Sequence, residues 1–339
     1  MEGETPKFVV VIGTSAGGFF ALAELISQLD EGMDAAFFVV MHLSKKGIGS
    51  YLVNQMQEYT PLFCTEAEDN MAIQKGNIYF AQPNKHLIVK KGLVKLGSGP
   101  AENRWRPAID VLFRSAAAAY DGRTIGIVLT GMLDDGAAGM VAIKRCGGTC
   151  IVQDPDEAEY PDMPLSVLEE INVDYCIPLS KMSGTISRII ATREDVDNLV
   201  PPDIIKEVKI SEDGIGSIDD LQQLGSCTFY CCPDCGGVLF ELNNDSHLRY
   251  RCHTGHTFSV TDLLSKQNKS IESSMWVTLR AMEERKNLLA QLAEKNQGSK
   301  KAPLDYHEKI DDLQHHVDTL KTVLLDIINE EKATEAVNK

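Results

Sequence analysis

Between residues 8 and 192, short apolar runs alternate with stretches of helical periodicity. The runs FVVVI and IGIVL are almost entirely apolar, which is typical of parallel strands covered by helices on both faces. The segment His86–Gly97 instead has the pattern of a β-hairpin. We therefore expect an α/β fold with a doubly wound, mostly parallel sheet and a β-hairpin insertion. The candidate strands are Phe8–Ile12, Ala36–Val40, Asn77–Ala81, Ile125–Leu129 and Thr149–Val152, and the candidate helices are Gly17–Leu29, Ile48–Tyr59, Ile109–Tyr120 and Ala137–Arg145.

After residue 198 the pattern changes, and four segments are predicted. Residues 1–198 form the α/β domain, and residues 199–225 form a linker with one short candidate strand at Ile204–Ile210. Residues 226–258 form a Cys/His-rich module that resembles a zinc ribbon, and residues 259–339 form a helical tail. In the tail we expect one helix over Val260–Lys295 and a second from Leu304 to about Glu331, joined by the loop NQGSKKAP.

The second predicted helix carries an apolar seam, because its apolar residues recur at alternating spacings of four and three. The seam consists of Tyr306, Ile310, Leu313, Val317, Leu320, Leu324 and Ile327. Such a seam is typical of a coiled coil, and the short loop before it predicts an antiparallel helical hairpin. The seam is used either within that hairpin or for self-association or docking to a coiled-coil partner.

Charge and hydropathy exclude several classes of function. The chain has 339 residues with a formal net charge of −16, which disfavours binding to nucleic acid. No apolar run approaches the roughly 20 residues that span a bilayer, so we expect no membrane insertion. The N-terminus MEGETPKF lacks the features of a secretory signal, and we expect a cytoplasmic protein.

Three candidate catalytic residues follow predicted strands. Gly13, Ser15 and Gly17 fit the pattern G-x-S-x-G at a strand-to-helix turn, which makes Ser15 a candidate nucleophile, although such a turn also suits phosphate binding. His42 follows the second strand and is the candidate base. Asp134 and Asp135 follow a later strand, in LTGMLDDGAAGM, where an acidic residue either completes a triad or caps the next helix. The carboxyl ends of parallel strands meet at one edge of a sheet, so these side chains are expected to converge.

Several ordered blocks of residues 8–192 resemble the catalytic domain of the CheB-type chemotaxis receptor protein-glutamate methylesterases. The blocks are VIGTSAGG, VVMH, AQPNKHL, RPAIDVLFRSAA, IVLTGMLDDGAAGM, CGGTCIVQDP and DMP. The resemblance implies that Ser15 is the nucleophile, His42 the base and Asp135 the triad carboxylate, with the backbone N–H of Met132 in the oxyanion hole. It also implies hydrolysis of glutamate γ-methyl esters on a methylated receptor, without any cofactor for catalysis, and in many members deamidation of glutamine.

The chain departs from that family in three places. Ala16 follows the nucleophile where many members have threonine, and Leu133 replaces a usual glycine. Only seven residues precede the first strand, so we expect no N-terminal receiver domain. Two alternatives to the methylesterase therefore remain open: a degenerate domain that serves as a signalling scaffold, and a serine hydrolase with a different ester or amide substrate.

The Cys/His-rich module has the spacing of a metal site. Cys232 and Cys235 form C-x-x-C, sixteen residues separate Cys235 from Cys252, and three separate Cys252 from His256. Four soft ligands arranged in two glycine-containing turns predict a closed, structural zinc site. Cys231 and His253 lie beside these ligands and are alternatives to Cys232 and His256.

Overall fold

The computed structural model describes residues 4–42, 49–194, 199–243, 248–295 and 306–337. In the α/β domain the strands are β1 Phe8–Thr14, β2 Ala35–Met41, β3 Phe63–Glu66, β4 Asn77–Phe80, β5 His86–Lys90, β6 Leu93–Gly97, β7 Thr124–Val128, β8 Thr149–Gln153 and β9 Tyr175–Ile177. Its helices are α1 Gly18–Ser27, α2 Gly49–Gln57, α3 Ile109–Tyr120, α4 Ala137–Arg145, α5 Asp162–Glu170 and α6 Leu179–Thr192. The loop NQGSKKAP and residue 304, where the second tail helix was expected to begin, lie outside the described residues.

The main sheet has seven parallel strands in the order β3-β4-β2-β1-β7-β8-β9. All seven residues of β1 and all seven of β2 are buried, which explains why neither strand alternates between apolar and polar positions. Helices α1 and α6 cover one face of the sheet, and α3 and α4 cover the other. The expected doubly wound α/β architecture is confirmed, and β5 and β6 form the expected antiparallel hairpin.

Several elements differ from the sequence-based expectations, and helices α5 and α6 were not among the candidate helices. The edge strands β3 and β9 were not predicted, because they have four and three residues and include exposed side chains. The candidate strand at Ile204–Ile210 was wrong, since this segment lies within helix α7, Pro202–Asp213. The buried face of α7 includes the polar residues Glu207 and Ser211, so its helical period was not visible as an apolar pattern.

The segment predicted as a linker thus contains α7 and a second helix, α8, Ile218–Leu224. After it, four antiparallel strands form a small sheet: β10 Gly225–Cys231, β11 Val238–Leu242, β12 Arg249–Cys252 and β13 Thr257–Ser259. We call these strands and their connections the ribbon. The ribbon belongs to the same compact unit as the parallel sheet, Met1–Val260.

A second compact unit, Thr261–Lys339, is helical. It contains α10, Tyr306–Val337, and all of α9, Val260–Lys295, except the first residue of that helix. Leu279 of α9 packs with Val317 and Leu324 of α10. The Nζ of Lys286 lies 2.6 Å from Oε1 of Gln314, and the Nζ of Lys321 lies 3.4 Å from Oε1 of Glu283, so the two helices run antiparallel as expected.

Candidate active site and metal centre

Ser15 lies on the turn that joins β1 to α1. Its N–H donates to the carbonyl of Thr130, 3.1 Å away, and the hydroxyl of Thr130 donates to the carbonyl of Ala16 at 3.1 Å. Gly17 ends the turn with φ 71, a left-handed conformation that glycine adopts without steric cost. These contacts hold Ser15, which is half-buried, against the carboxyl end of β7.

The loop after β7 passes directly beside Ser15. A Cβ at position 131 would lie 2.9 Å from the Cβ of Ser15 and 2.1 Å from the Sδ of Met163, so only glycine fits there. The N–H of Gly131 donates to the carbonyl of Tyr160 at 2.9 Å. Met132, the predicted oxyanion-hole residue, follows Gly131 and has an exposed side chain.

His42 follows β2, and its backbone N–H donates to the carbonyl of Thr14 at 3.1 Å. This places the imidazole at the strand end next to the turn that carries Ser15. The ring Nε2 lies 2.9 Å from Oδ2 of Asp135, and the indole of Trp105 stacks on the imidazole with ring centroids 4.1 Å apart. Because Nε2 faces a carboxylate, the neutral ring carries its proton there and leaves a lone pair on Nδ1. Nδ1 is buried and has no hydrogen-bond partner in the described part of the chain.

Asp135 is 2% exposed and accepts hydrogen bonds from several donors besides His42. The backbone N–H of Ile109 donates to its Oδ2 at 2.8 Å. The backbone N–H of Asp110 and the side-chain amide of Asn103 donate to its Oδ1, at 3.3 and 3.1 Å. These donors fix the carboxylate in the orientation that holds His42.

A second buried carboxylate, that of Asp110, lies beside Asp135. Its Oδ1 accepts from the N–H groups of Gly136 and Gly139, at 3.0 and 2.6 Å, and its Oδ2 accepts from Nδ2 of Asn103 at 2.7 Å. Burial and the adjacent charge of Asp135 raise the pKa of Asp110 to about 7. The amide of Asn103 thus bridges two carboxylates that would otherwise repel each other.

An open cavity of about 540 Å³ borders His42 and Trp105. Its lining includes His42, Trp105 and Arg106, and His256 from the ribbon. The cavity therefore lies on the side of the site that holds His42, and the ribbon contributes part of its wall.

The structure brings the predicted residues Ser15, His42 and Asp135 to one edge of the sheet. The imidazole and carboxylate are hydrogen-bonded, whereas Nδ1 of His42 has no bond to Ser15. Asn103 and Trp105 were not predicted as site residues, because they belong to a loop whose position depends on distant contacts. Asp110 lies in the quoted block RPAIDVLFRSAA, but an acidic residue in the first turn of a helix is ordinary.

The four predicted metal ligands also come together. One ligand atom from each of Cys232, Cys235, Cys252 and His256 lies within 4.8 Å of all the others. The Sγ atoms of Cys235 and Cys252 are 3.7 Å apart, and Sγ of Cys252 is 3.5 Å from Nδ1 of His256. Sulfur ligands bonded to zinc at about 2.3 Å in a tetrahedron are about 3.8 Å apart, so these spacings fit a zinc ion.

The two alternative ligands predicted from the sequence, Cys231 and His253, lie outside this cluster. Cys231 is exposed and His253 packs against the backbone at Gly237, and neither belongs to the cluster of four. Hydrogen bonding between Cys232 and Cys252 lowers the pKa of the Cys252 thiol and raises that of the Cys232 thiol.

No helix in the described ranges is long and apolar enough to cross a membrane.

The α/β domain is similar in sequence to known proteins. The model of the CheB methylesterase family matches residues 10–186. A relative from Leptospira interrogans is 35% identical over 181 residues, which are 53% of this chain and 93% of that protein. Relatives from Xanthomonas campestris and Methanosarcina acetivorans, 33% and 34% identical, are both named protein-glutamate methylesterase/protein-glutamine glutaminase 2. The chain covers 53% and 55% of the length of those two proteins.

A solved structure of the same family is similar to the α/β domain in sequence and in fold. The crystal structure of the Thermotoga maritima CheB methylesterase catalytic domain is 33% identical and superposes with a TM-score of 0.52. The superposition covers 56% of this chain and 100% of that one. The ribbon and the helical unit lie outside the family match, which ends at residue 186. On its α/β domain, the chain belongs to the CheB methylesterase family.

Proposed function

We propose that this protein is a serine esterase that hydrolyses glutamate γ-methyl esters on a methylated receptor or another signalling protein. Family membership and the names of the relatives support the reaction class. The observation that carries the proposal is the buried 2.9 Å contact of His42 with Asp135, at the strand end beside Ser15. The same acyl chemistry deamidates glutamine, because only the leaving group differs.

The proposed reaction begins when Oγ of Ser15 attacks the γ-carbonyl carbon and gives its proton to Nδ1 of His42. The hydrogen bond from Nε2 to Asp135 stabilises the imidazolium that forms. The tetrahedral intermediate then expels methanol, which takes the proton from His42. Water attacks the resulting acyl-enzyme with His42 as base, and free glutamate and the Ser15 hydroxyl are regenerated.

Two elements stabilise the oxyanion in this proposal. The backbone N–H of Met132 lies on the loop that passes Ser15, and the N-terminus of α1 follows Ser15 directly. Both present positive partial charge to the developing negative oxygen. No metal or organic cofactor takes part in this reaction.

The Ser15→Ala variant tests the assignment. We expect methanol release from a glutamyl-methyl-ester peptide to fall at least about 1000-fold, since removal of a nucleophile eliminates the covalent route. Ser274→Ala, which changes an exposed serine in α9, is the matched control and keeps full activity. Equal release by Ser15→Ala and the parent would refute the assignment. Absence of release from the folded parent would favour a scaffold, and activity only on unrelated esters would favour another hydrolase.

The ribbon holds one structural zinc ion in this proposal. Cys232, Cys235, Cys252 and His256 would all coordinate it, so no position stays open for a reactive water. We expect about one zinc per chain by elemental analysis and loss of the metal in Cys235→Ser and Cys252→Ser. Cys231→Ser is the control and retains it. Full metal content in the first two variants would refute the ligand set.

The remaining parts of the chain have proposed roles around this activity. The protein acts in the cytoplasm. Residues 1–198 supply the catalytic domain, 199–225 connect it to the zinc ribbon at 226–258, and 259–339 form the helical tail. The tail serves assembly or targeting, through self-association or a coiled-coil partner.

A further inference from the structure

A continuous set of contacts joins the cluster of four metal ligands to His42 and Asp135. We propose that metal binding by the ribbon controls the esterase by holding residues 102–105 in the conformation in which Asn103 bridges two carboxylates and Trp105 stacks on His42. Asn103 is then a positioning residue, and the ribbon is a metal-dependent switch for the site. This inference rests on the proposed esterase function.

The first contact is a backbone pairing. The N–H of Asn103 donates to the carbonyl of Thr257 at 3.1 Å, and Glu102 pairs with Thr257 as a parallel bridge. Thr257 directly follows the ligand His256 in the chain. Any displacement of His256 therefore reaches the backbone of Asn103 through one peptide unit and one hydrogen bond.

The second contact is a buried ion pair. Nη2 of Arg251 lies 3.1 Å from Oε1 of Glu102, and Arg251 directly precedes the ligand Cys252. The two side chains are 1% and 3% exposed. Arg251 also pairs with Glu207 of α7 at 3.4 Å, so the position of β12 is tied to both elements.

A third contact lies at the tip of the metal-binding turn. Gly255 has φ 98, and a Cβ at this position would lie 3.0 Å from Cγ of Pro100. Pro100 precedes the 102–105 segment and lines the same cavity as His42 and His256. The ribbon thus contacts this loop through backbone, charge and close packing.

The 102–105 segment needs such support, because its backbone is strained. Asn103 and Arg104 have φ values of 48 and 70, consecutive left-handed conformations in residues other than glycine. Such conformations persist only where the surrounding structure imposes them. The metal end of the ribbon has little apolar core to impose order by itself, since most residues of β10 are exposed. Metal ligation supplies that order in small ribbons.

The 102–105 segment contacts the catalytic residues in two ways, through Asn103 and through Trp105. Nδ2 of Asn103 lies 3.1 Å from Oδ1 of Asp135 and 2.7 Å from Oδ2 of Asp110. The indole of Trp105 stacks on His42 with an interplanar angle of 8°. Release of the segment would expose two adjacent carboxylates to mutual repulsion and free the imidazole to rotate.

The experiment compares the full chain with bound zinc, after removal of the metal with a chelator, and after zinc is added back. The sequence has two tryptophans, Trp105 and Trp276. The experiment uses a Trp276→Phe background, so that all tryptophan fluorescence comes from Trp105. We expect metal removal to lower kcat on a small methyl ester about 10–100-fold, because a catalytic group displaced by about 1 Å loses rate on that order, and to shift Trp105 emission to longer wavelength. Zinc restores both. Far-UV circular dichroism of the metal-free chain verifies that the α/β domain stays folded.

The Asn103→Ala variant separates this coupling from general damage. It should bind zinc normally, lose a similar 10–100-fold in kcat, and show a smaller further loss than the parent when the metal is removed, because only the route through Trp105 remains. The pKa of Asp110 should rise in this variant, because its carboxylate loses a donor that stabilises the charged form, and the pH–rate profile should change with it. Cys231→Ser, with its thiol outside the cluster, should behave like the parent throughout.

The outcomes distinguish the two proposals. Unchanged kcat and unchanged Trp105 emission after complete metal removal would overturn the coupling and leave the esterase intact. A metal response of the same size in Asn103→Ala would overturn the route through Asn103. Absence of esterase activity with zinc bound would overturn the proposed function, whereas a metal-dependent Trp105 emission would still support the structural coupling.

Discussion

At the scale of single residues, the loop beside Ser15 contains a strained position. Leu133 has φ 68 and a side chain that is 42% exposed. A leucine in the left-handed region costs roughly 1–2 kcal/mol, and this exposed side chain recovers little of that by packing. The strain lies next to Met132, the predicted oxyanion donor, where backbone geometry matters most for the proposed reaction.

Replacement of this residue by glycine should stabilise the protein. We expect Leu133→Gly to raise the free energy of unfolding of Met1–Val260 by about 0.5–1 kcal/mol, because relief of strain exceeds the entropic cost of glycine. Urea denaturation measures the change. Leu133→Ala is the control and should bring no gain, since alanine keeps the same backbone penalty. A lower midpoint for the glycine variant would contradict this account of Leu133.

At the scale of elements, the helical unit owes its cohesion to a few seam positions. Val317 and Leu324 of α10 are fully buried, at 0% and 1% exposure, whereas Leu325 is 56% exposed. The seam predicted from the spacing of apolar residues therefore faces α9 within the same chain. Glu283 and Lys286 of α9 flank this contact with partly exposed ion pairs that contribute little.

Leu324→Ala should destabilise the helical unit by about 2–4 kcal/mol, because it removes buried methyl groups and leaves a cavity. Leu325→Ala, its exposed neighbour, should change the stability by less than about 0.5 kcal/mol. Thermal unfolding followed by far-UV circular dichroism measures both. Equal effects of the two substitutions would show that the seam is not the packed face. A Tm that rises with protein concentration would indicate that copies of the chain associate.

At the scale of the whole molecule, a buried network of charges joins helices α3 and α7 and the 102–105 segment to the ribbon. Glu102 and Glu207 pair with Arg114 of α3 and with Arg249 and Arg251 of β12. Burial by itself would raise the pKa of both acids, but the arginines hold the pKa of Glu207 at about 2 and keep that of Glu102 well below its ordinary value. The network explains why the ribbon is part of the larger compact unit.

This network predicts acid sensitivity. The pKa of each glutamate is lower in the folded than in the unfolded chain, so the stabilisation is present above the ordinary value of about 4.5 and is lost as the pH falls towards 2. We expect urea midpoints for Met1–Val260 to fall steeply across that range. Glu207→Gln should cost about 3–5 kcal/mol at pH 6, because it leaves buried arginines short of a partner, and should flatten the acid dependence. An unchanged acid slope in this variant would contradict the role of Glu207.

Much of the architecture could be predicted from local pattern. The apolar runs of β1, β2 and β7, the helices α3 and α4, and the spacing of Cys232, Cys235, Cys252 and His256 all reflect burial or ligation within one segment. The carboxyl ends of parallel strands share one edge, so Ser15, His42 and Asp135 could be expected near each other. These features depend on backbone period and topology, which a sequence carries directly.

What only the tertiary structure decided depends on contacts between distant segments. The bridging amide of Asn103, the stacked indole of Trp105 and the raised pKa of Asp110 arise where one irregular loop meets two strand ends. The helical period of α7 was hidden because Glu207 is buried against arginines more than 40 residues away. The sequence by itself determined which segments are strands, helices and metal-binding turns, because each depends on its own periodicity or spacing. Only the tertiary structure showed which residues of the ribbon contact the loop beside His42. Buried polar contacts between distant segments produce no periodic pattern in the sequence.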